Sequence, residues 1–236
     1  MSVAVVTGAS RGVGREIARQ LADLGYTVIA GARDTADVDV PGVHAVQLDV
    51  TSDTSVAAAA ATVQQEFGGA TVLVNNAGLT YADAADSLDP GIDLEIARGV
   101  MDVNLYGAWR VARAFVPQLR AAEHARLVNV SSSFGQMAHP AAKGGPYKVT
   151  KAALNMLTTI MAEELRDDGI LVNAICPGAV ANLMPDPWGA WSQADLDAGP
   201  ALRPIEVAAA SAVWAVTIPD DGPTGGFFQD GRPIEW

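Results

Sequence analysis

The sequence predicts an α/β protein of one domain, with a doubly wound and mostly parallel sheet of seven strands and helices on both faces. Short apolar runs alternate along the chain with longer helical patterns, as in a series of right-handed β-α-β units. Most of these runs are apolar throughout, which is typical of strands that helices cover on both faces. No linker and no internal repeat divides the 236 residues, so residues 1–236 are predicted to form a single domain.

The elements follow one another in a regular order. The first helix is expected to stop at Leu24, because glycine, here Gly25, is a common residue just after a helix. Residues 57–61 are all alanine and therefore strongly favour the second helix. Strands are predicted at residues 3–7, 26–31, 43–49, 71–75, 126–131, 170–175 and 226–229. Helices are predicted at residues 12–24, 53–67, 93–122, 146–167 and 205–216.

The composition excludes several classes of partner and site. With 27 acidic and 15 basic side chains the formal net charge is -12, which argues against nucleic acid or an anionic membrane as the main partner. The one cysteine, Cys176, is interpreted as a small buried side chain, with a nucleophilic role as the less favoured alternative. The three histidines show no metal-ligand spacing, so no metal is expected. The chain shows neither a signal-peptide pattern nor a bilayer-spanning run, which favours the cytoplasm.

Residues 177–204 are the irregular zone of the predicted fold. They contain five prolines and two tryptophans between the sixth strand and the last helix. A stretch of this kind is either a substrate-binding loop that closes as a lid or a packed surface loop, and the sequence leaves both open.

A glycine-rich turn joins the first predicted strand to the first predicted helix. Glycines permit a tight turn and let phosphate oxygens approach the backbone, while the helix N-terminus offers free N–H groups and a positive dipole end. The spacing is G-x-x-x-G-x-G rather than G-x-G-x-x-G, but the strand-turn-helix context indicates dinucleotide binding. This turn, called the glycine loop below, reads Thr7-Gly8-Ala9-Ser10-Arg11-Gly12-Val13-Gly14.

The charges that follow the second strand indicate which dinucleotide is bound. An NAD site needs a carboxylate there to hold the ribose hydroxyls. The first charged residue is instead Arg33, and Arg11 stands in the glycine loop. Two guanidinium groups suit a 2′-phosphate, which favours NADP(H) over NAD(H). Asp34 keeps NAD open, because its carboxylate could reach the ribose if the turn differed by one residue.

Tyr147 and Lys151 are four residues apart at the start of a predicted helix and therefore share one helix face. An ammonium beside a phenol favours the phenolate, so the pKa of Tyr147 is expected to fall below its usual value of about 10. Such a phenol could donate and accept a proton near neutral pH. The spacing alone also allows a tyrosine that lies flat beside a solvated lysine.

Further motifs stand in order along the chain, and together they carry a resemblance. They are Asp49-Val50 after the third strand, Asn75-Asn76-Ala77-Gly78 after the fourth, Asn104, Ser132 after the fifth strand, and Pro177-Gly178 after the sixth. With the glycine loop and the Tyr-Lys pair, the set resembles the short-chain dehydrogenase/reductases over essentially the whole chain. The Ala32-Arg33 turn and the C-terminal residues are similar to carbonyl-reductase-like members. The resemblance implies a Rossmann fold with strand order 3-2-1-4-5-6-7.

The resemblance also implies catalytic roles. Tyr147 would be the general acid in ketone reduction, and Lys151 would lower the pKa of that phenol and bind the nicotinamide ribose. Ser132 would hydrogen-bond the substrate oxygen, with Ser133 as the alternative. Asn104 would anchor a water that relays protons toward Lys151.

The implied cofactor contacts extend along the carboxyl edge of the sheet. Asp49 would bind the adenine amino group and Val50 would line the ring, while Asn76 would pack beside the cofactor or stabilise the sheet. Many family members carry a threonine after the Pro-Gly pair. In this chain the sequence there is Ala179-Val180-Ala181-Asn182, and the side chain of Asn182 has a different reach from that of threonine. The cofactor-binding set is Gly8, Ser10, Arg11, Gly12, Val13, Gly14, Arg33, Asp49, Val50, Asn76, Ala77, Gly78, Tyr147, Lys151, Pro177, Gly178 and Val180.

The function implied is NADPH-dependent, reversible reduction of a ketone or aldehyde to an alcohol. The alternatives are an NAD-dependent alcohol dehydrogenase of the same fold and a non-catalytic regulator that senses a dinucleotide. The helices at 93–122 and 146–167 carry more apolar positions than one buried stripe requires, and family members pair these helices, so a homodimer or homotetramer is expected. Four large apolar residues could line a pocket for a hydrophobic or aromatic substrate, or could simply pack within the loop. They are Phe134, Met184, Trp188 and Trp191.

Overall fold

The computed structural model describes residues 2–79, 93–138, 144–180 and 202–236. The strands are β1 (Val3–Thr7), β2 (Thr27–Ala32), β3 (His44–Gln47), β4 (Val72–Asn75), β5 (Arg126–Val130), β6 (Leu171–Ile175), β7 (Phe227–Gln229) and β8 (Arg232–Pro233). They form one sheet in the order β3-β2-β1-β4-β5-β6-β7-β8, with every neighbouring pair parallel except β7 and β8. The predicted order of seven strands is confirmed, and the two-residue strand β8 is added at one edge.

The helices lie close to their predicted positions, with one difference. They are α1 (Gly12–Asp23), α2 (Asp53–Phe67), α3 (Leu94–Met101), α4 (Ala108–Arg120), α5 (Gly145–Glu164) and α6 (Ile205–Thr217). The helix predicted at 93–122 is present as a continuous helical run from Leu94 to Arg120, but a π-helical turn at Asp102–Gly107 divides it into α3 and α4. A π turn adds one residue to a helical turn, and a pattern of apolar residues does not reveal so local a change.

Helices cover both faces of the sheet, and each face has its own core. α2, α4 and α5 pack on one face, where Phe115 and Leu154 are almost fully buried. α1 and α6 pack on the other face around Ile17 and Ala212. All five residues of β1 are buried, since its side chains alternate between these two cores. This burial on both faces explains why the strands lack period-two alternation.

The sheet brings the predicted motifs to one edge. β1 lies between β2 and β4, so the connections that leave β1 and β4 run to opposite faces and open a crevice at the carboxyl ends of the strands. The glycine loop follows β1 and Asn76 follows β4 there, while Ser132 and Pro177 follow β5 and β6.

The described part of the chain contains no helix that is both long and apolar enough to cross a membrane. In the same residues no cluster of three or more His, Cys, Asp or Glu side chains could hold a metal ion. The compartment and the lack of a metal stay predictions.

Candidate active site

The glycine loop has no space for side chains at two of its glycines, which pack against the segment after β4 and against the loop's own backbone. A Cβ at Gly8 would lie 2.8 Å from the Cα of Ala77, and one at Gly14 would collide with the carbonyl oxygen of Gly8. Gly8 and Gly12 also have φ values of +65° and +58°, a backbone region that glycine adopts without steric cost. The first turn of α1 carries no acidic side chain, so the positive end of this helix can accept an anion.

Asn76 fastens the glycine loop to the end of β4. Its Nδ2 donates hydrogen bonds to the carbonyl oxygens of Thr7 and Gly8, at 2.9 and 3.2 Å. In return, the Oγ1 of Thr7 accepts hydrogen bonds from the backbone N–H groups of Asn76 and Ala77, both at 3.0 Å. The loop is therefore preorganised by four hydrogen bonds before any ligand arrives. The local sequence does not reveal this role of Thr7, because its partners lie 69 and 70 residues away along the chain.

The end of β2 presents both Arg33 and Asp34 to solvent, and one oxygen of the Asp34 carboxylate accepts a local hydrogen bond. The Oδ1 of Asp34 accepts a hydrogen bond from the backbone N–H of Ala36 at 2.9 Å and caps a short 3-10 turn. Arg11 is exposed at the N-cap of α1, and its side chain makes no capping hydrogen bond. Ser10 and Val13 lie beside it in the loop, half-buried and buried respectively.

Asp49 and Val50 follow β3 at the carboxyl edge of the sheet. Asp49 accepts hydrogen bonds from the backbone N–H and the hydroxyl of Thr51, at 3.0 and 2.8 Å, and these bonds lower the pKa of its carboxyl. The guanidinium charge of Arg33 makes a smaller contribution in the same direction. Val50 is buried against the π turn, where a Cβ at Gly107 would lie 2.8 Å from Val50 Cγ2.

Tyr147 and Lys151 meet the end of β5 from the first turns of α5. Lys151 is 4% exposed, and its Nζ donates a hydrogen bond to the carbonyl oxygen of Val130 at 2.8 Å. The same Nζ lies 5.6 Å from the centroid of the Tyr147 ring. The predicted pair is thus on one helix face, with the ammonium turned toward the strand.

Burial has the largest effect on the pKa values of Tyr147 and Lys151. It raises the pKa of Tyr147 to about 12, although a hydrogen bond with the Ser132 hydroxyl acts in the opposite direction. It also lowers the pKa of Lys151 to about 8. The expected fall in the pKa of Tyr147 is therefore wrong for this structure, because desolvation of the phenolate outweighs the attraction of an ammonium that is bound to a carbonyl.

The three consecutive serines after β5 differ in their hydrogen-bond partners. Ser131 is buried and donates a hydrogen bond to Asn155 Oδ1 at 2.5 Å, away from the phenol. Ser132 is hydrogen-bonded to the Tyr147 phenol, and its Oγ accepts a hydrogen bond from the Phe134 N–H at 3.2 Å. For Ser133 the backbone N–H is bound to Cys176 Sγ at 3.2 Å. Among these three side chains, the geometry therefore favours Ser132 as the partner of the phenol.

Asn104 lies buried in the π turn and connects three parts of the site. Its side-chain amide donates to the carbonyl oxygen of Leu79 at 2.9 Å and accepts from the N–H of the same residue at 2.7 Å. It also donates to Thr150 Oγ1, on α5, at 3.1 Å. A Cβ at Gly78 would lie 3.4 Å from Asn104 Oδ1 and 3.8 Å from Lys151 Nζ, so both side chains border Gly78.

The Pro177-Gly178 segment closes the other side of the site after β6. Gly178 has a φ of +77°, and its N–H is bound to Cys176 Sγ at 3.4 Å. Val180 forms an isolated parallel bridge with Arg203. Cys176 is buried and free, as its interpretation as a small buried side chain requires. Neither of its contacts, nor the role of Arg203, could be found from the sequence, because both depend on packing between distant segments.

Several residues named in the sequence analysis lie outside the described part of the chain. They are Ala181, Asn182, Met184, Trp188 and Trp191, so the choice between a lid and a packed loop for 177–204 stays a prediction. Phe134 is described, 39% exposed, with the Nζ of Lys148 5.4 Å from its ring centroid.

Known proteins resemble this chain in sequence and in structure. The family model for short chain dehydrogenase matches residues 2–193. The chain is 36% identical over 191 residues to 3-oxoacyl-(acyl-carrier-protein) reductase FabG of Staphylococcus epidermidis, a match that covers 77% of this chain and 76% of that protein. It is 37% identical over 205 residues to fluoren-9-ol dehydrogenase of Terrabacter sp., which covers 75% of this chain and 55% of that protein. Among solved structures, NADPH-bound carbonyl reductase from chicken fatty liver superposes with a TM-score of 0.83 at 25% identity, and the match covers 100% of both chains.

Proposed function

Because the chain belongs to the short-chain dehydrogenase family, and is thus a dinucleotide-dependent oxidoreductase of carbonyl or alcohol groups, we propose that it uses NADPH to reduce a ketone or an aldehyde. The observation that carries this proposal is the contact of Ser132 with the Tyr147 phenol, above a buried Lys151. Donors that are fixed in advance where charge develops stabilise a transition state more than donors in water do. A module that only senses a dinucleotide has no need of such a set.

The residues of the site suit the parts of the cofactor. The glycine loop and the N-terminus of α1 would hold the pyrophosphate, because Gly8 and Gly14 leave no space for side chains and the helix end is open. Asp49 and Val50 would contact the adenine, and the Asn76–Gly78 stretch would lie beside the cofactor. Arg33 and Arg11 would bind a 2′-phosphate.

Side chains of this protein would then donate the proton and replace it. When bound, the nicotinamide supplies the hydride. The phenol of Tyr147 keeps its proton at neutral pH, as an acid must, and gives it to the substrate oxygen as negative charge develops there. Ser132 holds that oxygen by a hydrogen bond, and the ammonium of Lys151 stabilises the phenolate that remains. Asn104, fixed beside Gly78, would hold the water that returns a proton toward Lys151.

Two features support NADP over NAD, the alternative cofactor. The carboxylate of Asp34 caps a turn through Ala36, whereas Arg33 and Arg11 are exposed and close to the crevice. The solved structure with the TM-score of 0.83 is that of an NADPH-bound carbonyl reductase. In the alternative, an NAD-dependent alcohol dehydrogenase, Asp34 Oδ2 would have to bind the ribose hydroxyls while Oδ1 keeps its hydrogen bond with Ala36.

The substrate class is proposed as a hydrophobic or aromatic ketone or aldehyde. One relative is named for fluoren-9-ol, an aromatic secondary alcohol, and another for a 3-oxoacyl group. The exposed ring of Phe134, two residues beyond Ser132, would offer an apolar contact at the site. Oxidation of NADPH and of NADH over a panel of ketones, aldehydes, quinones and oxoacyl thioesters would identify the class.

Replacement of Tyr147 by Phe tests the proposed reaction directly. The variant should lose turnover by about 10²- to 10⁴-fold, because general acid catalysis typically contributes that much. Its affinity for NADPH, measured by nucleotide fluorescence, should stay within a few fold of the parent. Tyr26→Phe, a half-buried tyrosine at the opposite edge of the sheet, is the matched control. Undiminished reduction by the Tyr147→Phe variant would contradict the mechanism, whereas a parent protein that binds NADPH but reduces nothing on the panel would favour the sensing regulator.

A further inference from the structure

The backbone of the Pro177-Gly178 segment is held by one side chain that arrives from a distant part of the sequence. Arg203 Nη1 donates a hydrogen bond to the carbonyl oxygen of Pro177 at 3.1 Å, and the backbone N–H of Arg203 donates to the carbonyl oxygen of Ala179 at 2.8 Å. Two carbonyls that flank Gly178 are thereby fixed by the same residue. The orientation of the peptide groups between them is set as a consequence.

The arginine stem also packs directly on the glycine. A Cβ at Gly178 would lie 2.5 Å from Arg203 Cδ, so the stem occupies the place that any larger residue at 178 would need. The Arg203 side chain is 17% exposed, which leaves little of its charge to water. An arginine in this setting needs a fixed anionic partner, because an unpaired buried charge is costly.

Asp230 is that partner, and it is fixed in turn. Arg203 Nη2 lies 2.7 Å from Asp230 Oδ1, which also accepts a hydrogen bond from Ser211 Oγ at 3.0 Å. The Ser211 hydroxyl accepts a hydrogen bond from the Asp230 N–H at 2.9 Å. Ser211 belongs to α6 and is 1% exposed, so the carboxylate is anchored to the core of the domain. The two arms of one guanidinium thus link this core to the Pro177 carbonyl, a geometry that a lysine ammonium cannot reproduce.

We propose that Arg203, anchored by Asp230, is a positioning residue that fixes the Pro177–Val180 backbone for the nicotinamide end of the cofactor. The proposal rests on the proposed function, which assigns Pro177, Gly178 and Val180 to that end of the dinucleotide. In the described residues, the hydrogen bonds and the ion pair of Arg203 go to Pro177, Ala179 and Asp230. Its effect is therefore expected on the nicotinamide half of the ligand and not on the adenine half.

Two ligands separate this role from a merely structural one. NADPH would contact the whole proposed site, whereas adenosine 2′,5′-bisphosphate would occupy only its adenine half. The Arg203→Met variant keeps an aliphatic side chain but lacks the guanidinium group. Its Kd for NADPH should be at least about tenfold higher than that of the parent, because hydrogen bonds made by a charged group are lost. The Kd of the bisphosphate should stay within about twofold of the parent. Arg203→Lys should recover thermal stability through its charge but should not recover NADPH affinity.

Asp230→Asn provides a second variant if Arg203→Met does not fold. Asp230 has a φ of +52°, which asparagine tolerates, so only the carboxylate charge is removed. The loss of NADPH affinity should have the same pattern and be smaller. Arg120→Met is the matched control, since Arg120 Nε lies 2.8 Å from Asp168 in another ion pair far from the site, and its affinities should equal those of the parent.

Two results would overturn the inference: NADPH affinity that does not change in the Arg203 and Asp230 variants, or an equal loss of affinity for NADPH and for the bisphosphate. The proposed function fails by a different result, namely a parent protein that binds neither NADPH nor NADH.

Discussion

The surroundings of Lys151 determine what the neighbouring phenol can do. The ammonium is bound to the carbonyl oxygen of Val130 and lies 5.6 Å from the Tyr147 ring, so it attracts a phenolate without touching it in this structure. With a pKa of about 8, the amine is mostly protonated near pH 7 yet far closer to losing its proton than a surface lysine. Such a group can exchange a proton with a nearby water, which is the role proposed for the path through Asn104.

Single side chains are also proposed to set the preference between the two dinucleotides. Arg33→Ala should raise the KM for NADPH by about tenfold or more and leave the KM for NADH nearly unchanged, because only NADPH carries the phosphate that a guanidinium would bind. Steady-state kinetics with both cofactors measure the ratio. Arg98→Ala, an exposed arginine on α3, is the control that should leave both values unchanged. A KM for NADPH that is insensitive to Arg33 would overturn the assignment.

At the level of elements, the glycine loop and β4 behave as one unit. Asn76 donates to the loop backbone from the strand side, while Thr7 accepts from the strand backbone on the loop side. Because each partner fixes the other, a change in either should displace the N–H groups at the start of α1 that are proposed to bind phosphate.

Gly14→Ala tests this coupling. The new Cβ would collide with Gly8 O and with the side chain of Asn76, so either the loop or Asn76 must move. We expect overpacking to cost about 1–3 kcal/mol, with a fall of the melting temperature by a few degrees. NADPH should no longer raise the melting temperature, because the loop that would bind its phosphates is displaced.

Gly99→Ala is the matched control for Gly14→Ala. Gly99 is exposed inside α3, and its Cβ would meet nothing within 4 Å. Alanine there should stabilise the helix by up to about 1 kcal/mol and leave NADPH binding intact. Equal NADPH-dependent stabilisation of the two variants would show that the loop tolerates a side chain at 14.

The sequence predicts these elements and motifs well where the signal is local. Apolar runs and Gly25 locate β1, β2 and α1, and the order of the motifs indicates which strand ends form the site. The pKa of Tyr147 and the contacts of Arg203 could not be predicted from the sequence, because they depend on burial and on side chains that are brought together only by packing. The π turn at Asp102–Gly107 could not be predicted either, since one added residue does not disturb the apolar pattern.

At the scale of the whole molecule, one group of exposed apolar side chains in the described residues lies on α5, on the π turn beside it and at the start of α4. On α5, Val149, Met156 and Ile160 are 57%, 63% and 43% exposed, and Tyr106 in the π turn and Trp109 at the start of α4 are about half exposed. The positions on α5 recur at intervals of seven and four residues and therefore form one stripe. A stripe of this kind on a domain with a net charge of -12 is the expected surface for pairing with a second copy.

A homodimer or homotetramer is thus expected in solution at micromolar concentration. The double substitution Val149→Lys and Met156→Lys should lower the mass measured by light scattering, because two desolvated lysines oppose an apolar interface. Leu24→Lys, which charges an equally exposed leucine at the end of α1, should leave the mass unchanged. A monomeric parent protein would contradict the expectation.

The bonds between Asn76 and the glycine loop also constrain how the protein acquires its shape. Asn76 lies 69 residues beyond Thr7. The first strand, the glycine loop and the first helix are therefore synthesised long before Asn76, whose side chain holds the loop. Until β4 joins the sheet, the loop lacks the side chain that holds its carbonyls, and closing so long a segment carries an entropic cost that local contacts do not offset. Nucleotide binding should therefore arise late in folding, as a sign that the two halves of the sheet have come together.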